Sequence, residues 1–195
     1  MSNLFTATEL STLHNTEFFV IKAAATKKIE HLFAAIHDEI KEVIQKENIT
    51  FPKEVDSTNG KIFRGENYLG FPYLVLDYPK HFSKESVLAF RTMFWWGNFF
   101  SFTVHLQGKA LEEQRSGLIK KIPSLKNQSI YICVDEKPWQ YHYNTDNYQL
   151  IDKLSNTEIE KIFRGKEFVK LSRHIPLNDH EKLSAFCKES FILLK

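Results

Sequence analysis

The stretch that decides the fold is Ser86-Val-Leu-Ala-Phe-Arg-Thr-Met-Phe-Trp-Trp96, then Gly97-Asn98, then Phe99-Phe-Ser-Phe-Thr-Val-His-Leu-Gln107. Two runs rich in aromatic and β-branched residues flank a Gly-Asn pair, and both of those residues tolerate the positive φ that tight hairpins use. The spacing predicts an antiparallel hairpin closed by a two-residue turn. Trp96 then pairs with Phe99, Arg91 lies opposite Val104, and His105 lies opposite Phe90. In that register one face carries Trp95, Met93, Arg91 and Ala89 beside Phe100, Phe102, Val104 and Leu106. The other carries Trp96, Phe94, Thr92 and Phe90 beside Phe99, Ser101, Thr103 and His105.

Toward the N-terminus, Ile62 to Tyr68 and Phe71 to Tyr78 read as two more strands around Leu69-Gly70, with Pro72 restricted to an edge or a strand start. Residues 53–60 form a polar loop. Before it, apolar residues recur at three- and four-residue steps from Phe19 to Ile44, which predicts a long amphipathic helix from Thr16 to about Glu47. A shorter helix precedes it, with Thr8 as its cap. Toward the C-terminus the pattern predicts a helix from Lys109 to Ile122 closed by Pro123, a strand at Ser129 to Val134 and another at Trp139 to Tyr143. Ser155 with Glu158, and Asn178 with Glu181, have the spacing of capping boxes that open helices. Lys166 to Ile175 alternates as a short strand. Lys-Ile-Phe-Arg-Gly occurs at Lys61 and again at Lys161, but the flanks do not match and the two copies fall on a strand and a helix, so no duplication is inferred.

This order defines the fold class as α+β: a mainly antiparallel sheet of about five to seven strands, with the long N-terminal helix and the C-terminal helices packed on it, in one domain spanning 1–195. At 195 residues and 43% hydrophobic composition, a chain can bury its own core, and seventeen Phe supply much of it. A net charge of +2, without long cationic runs, disfavours nucleic acid as a partner. The opening residues lack the basic and apolar segments of a secretory signal, and no apolar run reaches a membrane span. Two cysteines in apolar surroundings, Cys133 and Cys187, fit free thiols in a reducing, cytoplasmic setting.

Chemistry-bearing motifs are sparse. No nucleophile elbow, Walker loop or dinucleotide fingerprint occurs, the histidines lack metal-ligand spacing, and no cofactor is implied. Arg91, among apolar neighbours, requires a counterion, either a local acid such as Glu85 or an anionic ligand. His105, with Thr92, Ser101, Thr103 and the aromatics around Trp96, has the mixed character of a pocket lining. Asp77 and Asp135 are strand acids without a placed second group. The Trp95-Trp96 and Phe99-Phe100 cluster at the hairpin tip suggests a homodimer contact. The expectation is a soluble protein that binds a small anionic or aromatic ligand, or a copy of itself, through Arg91, His105, Arg64, Tyr78 and Trp96. The alternative is a hydrolase or transferase with His105 as general base and Arg91, Arg64 or Tyr78 orienting an anion. The predicted register puts Arg91 and His105 on opposite faces, which argues against a site that uses both.

Overall fold

A computed structural model describes residues 4–195. Its elements in chain order are α1 (Ala7–Leu13), α2 (Thr16–Lys46), β1 (Lys61–Tyr68), β2 (Phe71–Phe82), β3 (Ser86–Trp95), β4 (Phe99–Gly108), α3 (Lys109–Leu125), β5 (Tyr131–Cys133), β6 (Tyr148–Leu150), α4 (Asn156–Gly165), β7 (Phe168–Pro176) and α5 (Leu183–Leu194). The strands form one sheet in the order β1-β2-β3-β4-β7-β5-β6, with every neighbouring pair antiparallel. The α+β class and the long N-terminal helix are as the sequence predicts.

One face of the sheet is apolar and covered by helices. Leu88, Phe90 and Phe94 of β3 lie beside Phe100, Phe102, Val104 and Leu106 of β4 and beneath Phe33, Ile36 and Ile40 of α2 and Phe186 and Phe191 of α5. On α2 the buried residues recur at three- and four-residue steps, so one stripe of the helix meets the sheet. α3 adds Leu111, Leu118 and Ile122 to the same core.

Several boundaries differ from expectation for local reasons. Thr6, not Thr8, caps α1: its hydroxyl accepts from the Glu9 amide while the Glu9 carboxylate accepts from the Thr6 amide. α3 runs through Pro123 to Leu125, because the proline falls in the last turn and both Ile122 and Leu125 are held in the core. Trp139 to Tyr143 is irregular; the strand beside β5 is Tyr148–Leu150. Asn178 caps no helix, because Leu177–Lys182 is a 3-10 segment interrupted at Asp179 and α5 starts only at Leu183. Ser155 and Glu158 do form a capping box, at the start of α4. The two Lys-Ile-Phe-Arg-Gly copies lie in β1 and α4.

The decisive correction is the hairpin register. Trp95 pairs with Phe99, Arg91 with Thr103 and Ala89 with His105, one residue away from the predicted pairing. Trp96 therefore belongs to a three-residue loop with Gly97 and Asn98. A two-residue type I′ turn needs positive φ at both central residues, and of this pair only Gly97, at 71°, has it. The Asn98 amide donates to the Trp95 carbonyl at 3.0 Å, and its side chain donates to the Trp96 carbonyl at 2.7 Å. The shift exchanges the two halves of β4 between faces. It gathers Leu88, Phe90 and Phe94 with Phe100, Phe102, Val104 and Leu106 under the helices and leaves Arg91, Ser101, Thr103 and His105 together on the opposite face, beside Met93 and Trp95.

β4 passes into α3 at Gly108 without an intervening loop. Gly108 has φ 58°, and a Cβ there would lie 2.0 Å from the Glu85 carbonyl oxygen. Replacing it strains the backbone and displaces β3 at once, so Gly108→Ala is expected to lower unfolding free energy by about 3 kcal/mol or more in urea denaturation.

Candidate functional site

The face turned away from the helices is built from alternate residues of β2, β3, β4 and β7. Asp77 of β2 pairs with Arg91, which pairs with Thr103, and Thr103 pairs with Ser172 of β7; one step along, His105 pairs with Lys170. The lining is polar but dry, since Asp77, Ser101, Thr103, His105, Lys170 and Ser172 are all buried.

Arg91 finds its counterion in Asp77 rather than Glu85. Its Nε donates to Asp77 Oδ1 at 2.7 Å and its Nη2 donates to Asp77 Oδ2 at 2.8 Å, a bidentate arrangement, while Nη1 donates to the Tyr141 hydroxyl. Burial works against the charge, but Asp77 and Tyr141 outweigh it and keep the guanidinium ionised. The pair as a whole is neutral, which makes it a flat polar floor instead of an open anion receptor. The Tyr141 ring packs 5.0 Å and the Phe63 ring 5.6 Å from the guanidinium carbon.

A strap of irregular chain, residues 134–147, crosses this face and is held by side chains from the sheet and from Lys166 at the end of α4. Lys166 Nζ donates to the carbonyls of Val134 and Asp135 at 2.7 and 2.9 Å. The Tyr68 hydroxyl accepts from the amides of Tyr141 and His142 at 2.6 and 3.1 Å. Lys170 Nζ donates to the Gln140 carbonyl and sits 4.7 Å from the Tyr141 ring centre and 5.1 Å from that of Tyr148. Burial, and secondarily the charge of Arg91, lower the Lys170 amine to about 8, although the nearby Cys133 thiol acts in the opposite direction. His105 is pushed down to about 3, chiefly by burial and then by the charges of Lys170 and Arg91, so its imidazole is neutral. Its Nε2 meets no hydrogen-bond partner, and Trp139 of the strap lies edge-on 5.1 Å away.

Two depressions open beside the Arg91–Asp77 floor. The larger, about 540 Å³, includes Lys61, Phe63, Lys80, Phe82, Arg91 and Trp139 in its walls. The smaller, about 190 Å³, lies among Tyr68, Tyr73, Met93 and Tyr141 and shares Phe63, Arg91 and Trp139 with the first. Of the sequence candidates, Arg91 and His105 thus share a face, contrary to the predicted register, but only Arg91 reaches the clefts. Arg64 and Trp96 line a separate cavity of about 180 Å³ between α2 and the β1–β2 edge. Tyr78 lies on the helix side, donating its hydroxyl to the Ser57 carbonyl at 2.8 Å and packing on His37. The five therefore do not form one site.

Sequence reasoning missed Phe63, Trp139, Tyr141 and Lys170. Lys170 carried a signal, as a lysine set between Val169 and Leu171 in a strand. Of the hairpin-tip aromatics, Trp95 and Phe100 are buried, with Trp95 packed by Tyr68, Phe71 and Phe99, while Trp96 and Phe99 are half-buried.

Among the described residues no group of three or more His, Cys, Asp or Glu side chains could hold a metal ion, and no helix is long and apolar enough to cross a membrane. The fold and site define an α+β protein with a helix-backed antiparallel sheet whose polar face is strapped and cleft. Compared with protein-family models, curated proteins and solved structures, the chain finds no match.

Two outcomes follow from these buried charges. Arg91→Met leaves the Asp77 carboxylate buried without its partner and is expected to cost about 3–5 kcal/mol, whereas Asp77→Leu combined with Arg91→Met recovers most of that loss in denaturant titrations. For Lys170, the folded value of about 8 lies below the unfolded value of about 10.4, so between them the unfolded chain binds the extra proton and stability rises with pH. The gain is about 2 kcal/mol from pH ~7.5 to ~9.5. It is opposed above pH ~8.5 by Cys133 and Cys187 and above pH ~10 by Tyr141, Tyr143 and Tyr148, all raised by burial, which hold protons that the unfolded groups release. The Lys170 contribution is read as the difference between the native and Lys170→Met melting curves, which is expected to shift in favour of the native chain by about 2 kcal/mol from pH ~7.5 to ~9.5.

Proposed function

We propose that this protein binds a small, flat aromatic or heteroaromatic ligand bearing an anionic group, in the larger cleft above the Arg91–Asp77 pair, and does not transform it. The observation that carries this reading is the cleft's construction: a neutral, planar ion-pair floor with Phe63, Phe82 and Trp139 as aromatic walls. Its volume of about 540 Å³ is that of a small-molecule site. Phe82 and Trp139 are 43% and 49% exposed, so stacking on a ligand would remove apolar surface that the chain leaves in water.

The support for an anionic substituent is Lys61, set against one acid without an ion pair among the described residues, Glu54, in the same walls. Lys80 is engaged by Asp56 at 3.0 Å and Arg91 by Asp77, whereas Lys61 makes no ion pair among the described residues. Lys61 is the cation free to meet a carboxylate or phosphate. The near-balanced net charge favours a small molecule over nucleic acid, and two buried free thiols support a cytoplasmic setting.

The catalytic alternative, with His105 as base, draws support from the shared face of Arg91 and His105. It requires Trp139 to swing away and an imidazole far less depressed than this one.

The test is a ligand-detected NMR screen of aromatic carboxylates and aryl phosphates against the full chain. Hits are expected, with affinity falling about tenfold in Trp139→Ala and less in Lys61→Ala. Failure to find any hit, or hits indifferent to both substitutions, refutes the cleft as the binding site.

A further inference from the structure

α2 has 31 residues, about 46 Å at 1.5 Å per residue, and only part of it rests on the sheet. Its first buried residue is Thr26; everything before that is exposed or partly so. In this overhanging part and in α1, the apolar side chains of Leu10, Leu13, Phe18, Phe19, Val20 and Ile21 are 43% to 67% exposed. At about 100 Å² each they leave about 600 Å² of apolar surface in water. An antiparallel helix contact along one side of α2 covers Ile21 and its neighbours on that side.

The exposed stripe of α2 is self-complementary. Glu17, Ile21, Ala24 and Lys28, spaced four, three and four residues apart, fall on one side of the helix, and all four are exposed. Laid antiparallel against its own copy about a two-fold axis midway between Lys22 and Ala23, this stripe sets Glu17 opposite the partner's Lys28 and Ile21 opposite the partner's Ala24. Both matches occur twice by symmetry. Neither Glu17 nor Lys28 makes an ion pair within the chain among the described residues. The small Ala24 offers the space that the bulky Ile21 requires.

We propose that α2 forms an antiparallel, two-fold contact with a second copy of this chain. A lipid surface fits less well. The first Lys or Arg in the sequence is Lys22, already held by Glu66 at 2.8 Å, so the arm has no basic face for anionic headgroups.

Sedimentation velocity of the full chain, from micromolar to sub-millimolar concentration, tests this. The native chain is expected to sediment as a dimer, at twice the 22.9 kDa chain mass. Glu17→Lys and Lys28→Glu each place like charges together and are expected to weaken the dimer about tenfold or more. The double substitution Glu17→Lys with Lys28→Glu restores opposite charges across the axis and is expected to recover it. Ile21→Glu should give a monomer with unchanged circular dichroism, since the residue is exposed. A native chain that stays monomeric throughout the range overturns the proposal, as does a dimer insensitive to these substitutions. A monomer that co-sediments with phosphatidylcholine–phosphatidylserine vesicles overturns it in favour of a membrane surface.

Discussion

The pairing of β3 with β4 is the constraint on which the rest of the molecule depends. Because side chains alternate along a strand, one register puts Leu88, Phe90 and Phe94 on the same side as Phe100, Phe102, Val104 and Leu106, and its neighbour by one residue does not. Only the first provides an apolar surface wide enough for α2, α3 and α5 to cover together. The three-residue loop at Trp96, Gly97 and Asn98 is the local geometry that permits this pairing. Helix burial on one face and polar clustering on the other have the same cause.

The polar face then has to satisfy its own charges out of water. Arg91 does so through Asp77, whose two oxygens match the guanidinium fork. Lys170 has no carboxylate partner among the described residues and relies on the Gln140 carbonyl and two tyrosine rings, so its charge is destabilised relative to water. His105 resolves the problem by staying neutral. The strap is consequently both a lid over these groups and their source of acceptors. Since it is tied by side chains rather than by a backbone ladder, it leaves Phe63, Trp139 and Arg91 facing open space where its cover ends.

α2 shows the opposite asymmetry. Its C-terminal half is locked by Phe33, Ile36, Ile40 and Ile44, while its N-terminal part meets the β1–β2 edge only along Phe19, Lys22, Ala23 and Thr26. A helix that is apolar around its circumference is stable in water only when something encloses it. Among the described residues, one copy of the chain covers only the side of this part that faces the β1–β2 edge.

The sequence by itself determined the elements whose signals are local: the 3.6-residue periodicity of α2, the Ser155–Glu158 box, the alternation in β7, and the existence of the central hairpin. It also carried the polar character of His105 and Arg91 and the thiol state of the cysteines, since these depend on residue chemistry and composition. The face each candidate occupies was decided only by tertiary structure. A single step in register moves a side chain across the sheet at almost no local cost, and its energy comes from whether distant helices find apolar surface to bury. For the same reason Asp77 was legible as a strand acid but not as the partner of Arg91, fourteen residues away. Phe63 and Trp139 converge beside that pair only once the sheet and the strap bring them together.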